Sequence, residues 1–283
     1  MLSLVASPSV ADAQERWSRP ARGLRYLRRV VRAGPLRTTL HALFVDLCDP
    51  AIELRATAPD ERGRTVASWA RLVGAAAAIN GDYFEMRTST PLGPARGAGR
   101  WWPDGEREHR DALFVSAPGG RVDVIDAPGA TTPTLWLDAR SLVGDAWSDV
   151  IAVRERIVVR GAVRESPAIT HDGARHPRTA IGLSADRHTL LLAVVEGRSE
   201  QASGATVREL ADMLRSLGAW DAMKLDGGGS STMFIAGVGT VNHPSDGAAR
   251  AVANHLGVIV RATGARAAPS RCVEARTRPT AVR

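Results

Sequence analysis

The stretch Met223-Lys224-Leu225-Asp226-Gly227-Gly228-Gly229-Ser230-Ser231-Thr232-Met233 decides how this chain is read. An apolar run from Trp220 to Leu225 ends there in an acid, three glycines and three hydroxyls. Three consecutive glycines cost conformational entropy on folding and add no packing, so the backbone must approach something closely or adopt positive φ. Asp226 offers a carboxylate, the amides of Gly227, Gly228 and Gly229 can form an anion-binding concavity, and Ser230, Ser231 and Thr232 offer hydroxyls. The alternative is a strained strand-to-loop turn that binds nothing.

Just upstream, Thr189 to Val195 reads as a buried strand ending in Glu196-Gly197-Arg198. Thr206-Val207-Arg208-Glu209 has the form of a capping box, and Val207, Leu210, Leu214 and Leu217 then line one helical face up to Gly218. Strand, helix and strand in this order predict two parallel strands. Their C-terminal ends then share one sheet edge, which brings Glu196 and Arg198 beside Asp226, where open α/β sheets place ligands. An earlier unit repeats the rhythm. Thr65 to Val73 is helical in period, with Val66, Trp69, Ala70 and Val73 at core spacing and Gly74 as its stop. Ala75 to Ile79 follows as a strand running into Asn80-Gly81-Asp82-Tyr83-Phe84, a third wall for the same crevice.

Elsewhere the pattern is mostly of strands. Gly23 to Arg37 is basic and reads as an entry segment with one strand. Leu43, Val45 and Leu47 alternate onto one face, and Ile52 to Ala56 follows as the second arm of a hairpin or as a neighbouring strand. Residues 85–111 form a long Gly-, Pro- and Arg-rich loop, in which Trp101-Trp102 is a sugar-stacking platform or the loop's own core. Further strands are predicted over 112–116, 122–125, 157–159 and 249–260. The expected fold is mixed α/β of the α+β kind: one domain with a largely β-sheet core, helices packed on the sheet and long functional loops. Its expected limits are a leader or disordered segment over 1–22, the domain over 23–262 and a flexible tail over 263–283.

The composition is that of a globular protein with a real core, and no run nears the roughly 18 apolar residues of a membrane span. The net charge of +7 is carried by arginine, because Lys224 is the only lysine. The arginines are spread out, aromatic residues are few and no nucleic-acid-binding motif is present, so the basic surface favours small anionic substrates over nucleic acid. Alternation puts Lys224 on the same face as Asp226, where its ammonium would keep the carboxylate ionised; the alternative is a partly exposed lysine with no role. Cys48 and Cys272 lack metal-ligand spacing and are either one long disulfide or two buried thiols. Leu2 to Val10 followed by Ala11-Asp12-Ala13 has the small-x-small form of a signal-peptidase site, without a positive segment before it. His176 and His243 lie near the motifs and could shuttle protons, but are read as surface or packing residues rather than as catalytic ones. Asp82 with Asp226 could face a hard cation, but no acidic loop of calcium-binding spacing exists, and no metal or cofactor is expected.

Taken together, Ala78-Ile79-Asn80-Gly81-Asp82-Tyr83-Phe84, Pro177-Arg178-Thr179-Ala180-Ile181-Gly182, Glu196-Gly197-Arg198, Leu225 to Met233 and Arg250-Ala251-Val252-Ala253-Asn254 resemble the phosphodiester glycosidase family over roughly residues 23–262. Two positions depart from it. Lys224 stands where asparagine is common, and Asp82 replaces the glycine that often follows Asn80-Gly81. The resemblance implies an extracytoplasmic hydrolase that splits a sugar 1-phosphodiester at the anomeric carbon. It implies Asp226 and Glu196 as the carboxylate pair and Arg178, with Arg198, as the phosphate holder. Asn80, Gly81, Asp82, Thr179, Lys224 and the loop Gly227–Thr232 would then contact the sugar-phosphate or phosphoglycan substrate. Two other readings stay open at this point: a non-catalytic phosphoglycan-binding protein of the cell envelope, and a phosphodiesterase that cleaves P–O.

Overall fold

A computed structural model describes residues 14–105, 111–126, 135–166, 169, 173–262 and 272. The chain is mainly β. Every strand pairing among the described residues is antiparallel. The largest sheet has eight strands in the spatial order Gln14–Ser18, Leu24–Ala33, Leu36–Asp46, Thr189–Val195, Arg178–Leu183, Asp221–Lys224, Glu155–Val159 and Ala162–Val163. Two five-stranded sheets face it. One is built around Ala77–Asn80 and His255–Val260, the other around Ala112–Ala117 and Asp149–Val153.

Alternation explains the layering. Leu43, Val45, Ile181, Leu183, Leu190, Leu192, Val194, Met223 and Leu225 point from the large sheet into one core, where they meet Ile52, Leu54, Ile79, Phe114, Ile151, Met233, Ile235, Leu256 and Val258 of the two smaller sheets. The opposite face carries Leu40, Ala42, Ala180, Leu191, Ala193 and Val195, and is covered by helix α3 (Val207–Ser216) through Val207, Leu210, Ala211, Met213 and Leu214. Helices α1 (Val66–Val73) and α2 (Leu135–Val143) cover the outer faces of the two smaller sheets. Both predicted helix starts have the expected chemistry. Thr65 accepts from the Ser68 amide, and Thr206 and Glu209 form a reciprocal capping box. Gly74 closes α1 at φ 69°.

The strands Thr189–Val195 and Asp221–Lys224 are parallel, as the strand-helix-strand pattern predicts, but Arg178–Leu183 lies between them and pairs antiparallel with both. The sheet is therefore not an open parallel one. The two C-terminal ends still share one edge, because each neighbour reverses direction. Three expectations are corrected, and one open alternative is resolved. Leu43–Leu47 and Ile52–Ala56 are not a hairpin; the first belongs to the large sheet and the second pairs with His255–Val260 in another. The basic entry segment is two long paired strands rather than one, with Gln14–Ser18 added on their edge inside the span set aside as a leader. The 85–111 loop contains short paired strands where it is described, and residues 106–110 of it lie outside the described residues. Trp102 is fully buried against Ala95 and Ala253, so it forms the loop's own core rather than a platform. A disulfide joins Cys48 to Cys272, 224 residues apart, tying the C-terminal part to the sheet. Among the described residues no helix is long and apolar enough to cross a membrane.

Candidate active site

Asn80 joins the two sheets at the edge where the site lies. It is fully buried at the end of its strand. Its Oδ1 accepts from the Thr179 hydroxyl at 2.8 Å and from the Thr232 amide at 3.2 Å, while its Nδ2 donates to the Asp226 carbonyl at 2.9 Å. The Asp226 amide in turn donates to the Gly81 carbonyl. Gly81 is held against Asn254, whose Oδ1 would lie 2.0 Å from any Cβ placed there and which accepts from the Asp82 amide. Asn80, Gly81 and Thr179 thus spend their polar groups on positioning the acid loop, and Asp82 is buried beside them.

Backbone crowding explains Gly227, a left-handed φ explains Gly228, and at Gly229 the neighbours are the ends of side chains. A Cβ on Gly227 would meet the Pro177 carbonyl at 2.9 Å, one on Gly228 the Arg198 guanidinium at 3.0 Å, and one on Gly229 the Asp246 carboxylate and Arg250 guanidinium at 1.9 and 2.3 Å. Gly228 also has φ +60°. Two of the three glycine amides are spent within the protein. Gly227 donates to the Asp226 carboxylate, Gly228 to the Pro177 carbonyl, and Ser230 and Ser231 to carbonyls within the loop. The positive charge on this loop comes from side chains. Arg198 lies over Gly228, and Arg250, paired with Asp246, reaches the Ser230 hydroxyl. Ser231 Oγ and Thr232 Oγ1 are buried without a hydrogen-bond partner among the described residues.

The two carboxyls differ in proton affinity. Burial pushes Asp226 above the ordinary carboxylate value, against the opposing effects of the Ser230 hydroxyl, the Gly227 amide, Arg250 and Lys224. Burial also pushes Glu196 up, but the hydrogen bond and charge of His41 and the amide and ring of His243 outweigh it and bring Glu196 down to about 2. His41 is fully buried; its Nε2 lies 3.0 Å from Glu196 Oε1 and its Nδ1 2.6 Å from the Tyr26 hydroxyl. The His243 amide donates to the same Glu196 oxygen at 3.0 Å. Segment 242–250 therefore touches both carboxyl neighbourhoods, through His243 at Glu196 and through Asp246 and Arg250 at Gly229 and Ser230. Arg198, exposed two residues after Glu196, holds φ 60°, a left-handed backbone that a non-glycine residue adopts at a cost.

Two predicted site residues are engaged with protein partners beside the loop, Arg178 with its Cδ 3.9 Å from a Cβ built on Gly227. Arg178 is buried and donates from Nε to the Ala205 carbonyl and from Nη2 to the Ala174 carbonyl, both at 3.0 Å. It is next to Thr179 on a strand, so the two side chains point to opposite faces: Thr179 toward Asn80, Arg178 toward the side covered by α3. Lys224 donates to the Tyr83 hydroxyl at 2.9 Å and pairs with Glu155 at 3.2 Å, and is only a minor influence on Asp226. Sequence reading missed His41, Tyr26, Asp246 and the placement of Arg250. For His41 a signal existed, since alternation puts a polar ring on the inward face of Leu43 and Val45. Arg250 and Asn254 lay within a quoted motif but carried no assigned role.

The sequence pattern that defines the phosphodiester glycosidases matches residues 73–259, more than half of the chain. The chain belongs to the phosphodiester glycosidase family. Its fold is similar to that of the zebrafish N-acetylglucosamine-1-phosphodiester α-N-acetylglucosaminidase catalytic domain auto-inhibited by its pro-peptide, with a TM-score of 0.64 and 17% identity over 89% of this chain and 88% of that one. A hypothetical protein from Synechocystis superposes equally well, with a TM-score of 0.64 and 16% identity over 89% of this chain and 64% of that one. A Burkholderia pseudomallei protein described as exported gives 0.62 and 18% over 82% and 76%. In sequence, 82 residues are 43% identical to the SPβ prophage-derived uncharacterized protein YomE of Bacillus subtilis, covering 29% of this chain and 12% of that one. This phosphodiester glycosidase chain thus spans a small part of that relative's length.

Proposed function

We propose that the chain hydrolyses the sugar C1–O bond of a sugar 1-phosphodiester, outside the cytoplasm. The observation that carries this reading is the pair of carboxyls on one sheet edge whose surroundings drive their proton affinities apart, with Arg198 and Arg250 on the loop next to one of them. Glu196 stays ionised and serves the anomeric carbon, as nucleophile or as base toward water. Asp226 retains a proton into a higher pH range and donates it to the departing phosphate oxygen, which takes the C1–O electron pair. The phosphate falls to Arg198 and Arg250, since the Gly227 and Gly228 amides and the donors of Arg178 named above serve carbonyls and a carboxylate. The Cys48–Cys272 disulfide favours an oxidising compartment.

The test is hydrolysis of a panel of sugar 1-phosphodiesters in heavy-oxygen water. Label in the released sugar supports C–O cleavage. Label in the phosphate replaces the proposal with a phosphodiesterase, and tight binding without product replaces it with a binding protein.

A further inference from the structure

Residues 16–45 contain eight arginines and no acidic residue. They form the paired strands Leu24–Ala33 and Leu36–Asp46 with the edge strand before them. The pairing register is continuous, so alternation assigns each arginine to a face. Leu24 and Tyr26 face the inner core, which places Arg28 and Arg32 on that face; Leu43 and His41 place Arg37 there too. Arg28 stands directly opposite His41, and Arg32 directly opposite Arg37. Like charges opposed across two strands are destabilising. No carboxylate lies within ion-pair distance of Arg28, Arg32 or Arg37 among the described residues, and Arg32 and Arg37 are exposed.

This strip leads into the site. The Glu196 amide donates to the Thr39 carbonyl, Thr39 is two residues from Arg37, and His41 on the same face holds the Glu196 carboxylate. Along this face Arg28 and Arg32 are four residues, about 13 Å, apart, with Thr39 level between them and Arg37 directly across from Arg32, so positive charge lies on both sides of the Glu196 contact. We propose that Arg28, Arg32 and Arg37 form a subsite, continuous with Glu196, for the next anionic units of a phosphodiester-linked glycan chain. The inference rests on the proposed reaction for the identity of the polymer, and on charge complementarity for its binding. An anion laid between Arg32 and Arg37 relieves a repulsion that the fold otherwise leaves uncompensated.

The experiment compares wild type with Arg32→Ser/Arg37→Ser on a monomeric aryl sugar 1-phosphodiester and on a phosphodiester-linked glycan polymer. The double variant is expected to lose about tenfold in kcat/KM on the polymer and less than twofold on the monomer, and Arg32→Lys/Arg37→Lys to recover most of the loss. Equal losses on both substrates, or none on the polymer, overturn the subsite. Retention in gels containing the polymer, a neutral glycan or single-stranded DNA decides the strip even if no diester is hydrolysed. Weaker retention of the variant by the polymer alone supports it, and equal retention of wild type by DNA and polymer overturns it in favour of a general polyanion surface.

Discussion

The ends of Thr189–Val195 and Asp221–Lys224 run out at the same edge and each delivers a carboxyl, yet the two carboxyls are handled in opposite ways. Glu196 is met by a buried imidazole backed by a tyrosine hydroxyl and by a main-chain amide, and is held near 2. Asp226 is met by one hydroxyl and one amide, burial outweighs them, and it is pushed up. Burial acts in the same direction on both. What differs is the supply of donors, and that supply comes from distant parts of the chain in the first case and from the acid's own loop in the second. The comparison teaches that a pair of like acids becomes an acid and a base through their neighbours rather than through their identity.

The largest expected effect tests whether both carboxyls do chemistry. Glu196→Gln and Asp226→Asn are each expected to lower kcat by roughly 10³-fold on a sugar 1-phosphodiester. Near-normal turnover in Asp226→Asn would reduce that residue to a loop clamp. Next comes the scaffold that places the acid loop. Asn80→Ala leaves buried donors and acceptors on Thr179, Thr232 and Asp226 unmatched and should lower unfolding free energy by about 3 kcal/mol in urea titrations. A changed KM with unchanged stability would instead put Asn80 in contact with substrate.

The contrast in proton affinity predicts an asymmetric pH profile. With Glu196 at about 2, wild-type kcat/KM has no acid limb as pH falls through the ordinary glutamate value of 4.5. His41→Phe removes the donor that depresses Glu196, so the carboxyl rises and kcat/KM falls as pH drops through roughly 4 to 5. A profile left flat by His41→Phe would show that His41 does not set the ionisation. The smallest effect concerns the alkaline side. The rate falls as pH rises through the raised Asp226 value, because the proton donor is lost. Ser230→Ala removes a hydrogen bond that favours the ionised form, so this limb should move up by roughly 0.7 of a pH unit, the equivalent of a bond worth about 1 kcal/mol. A downward shift would contradict the assigned direction.

Local chemistry was legible from the sequence alone. The capping residues Thr65 and Thr206, the helix stops, the alternation of Leu43 and Val45, the run into Asp226 and the parallel relation of the two site strands all follow from spacing, propensity and short-range connection rules. The glycines announced a close approach without naming what approached. Tertiary structure decided the rest. It placed Arg178–Leu183 between the parallel strands, sent Ile52–Ala56 to a different sheet from Leu43, and turned the Arg178 donors beside Gly227 to main-chain carbonyls while Arg198 and Arg250 approached Gly228 and Gly229. It also set His41 against Glu196, 155 residues later in the chain. Proton affinity and charge pairing depend on distances of a few ångströms between residues far apart in sequence, and such distances exist only once the sheets have packed.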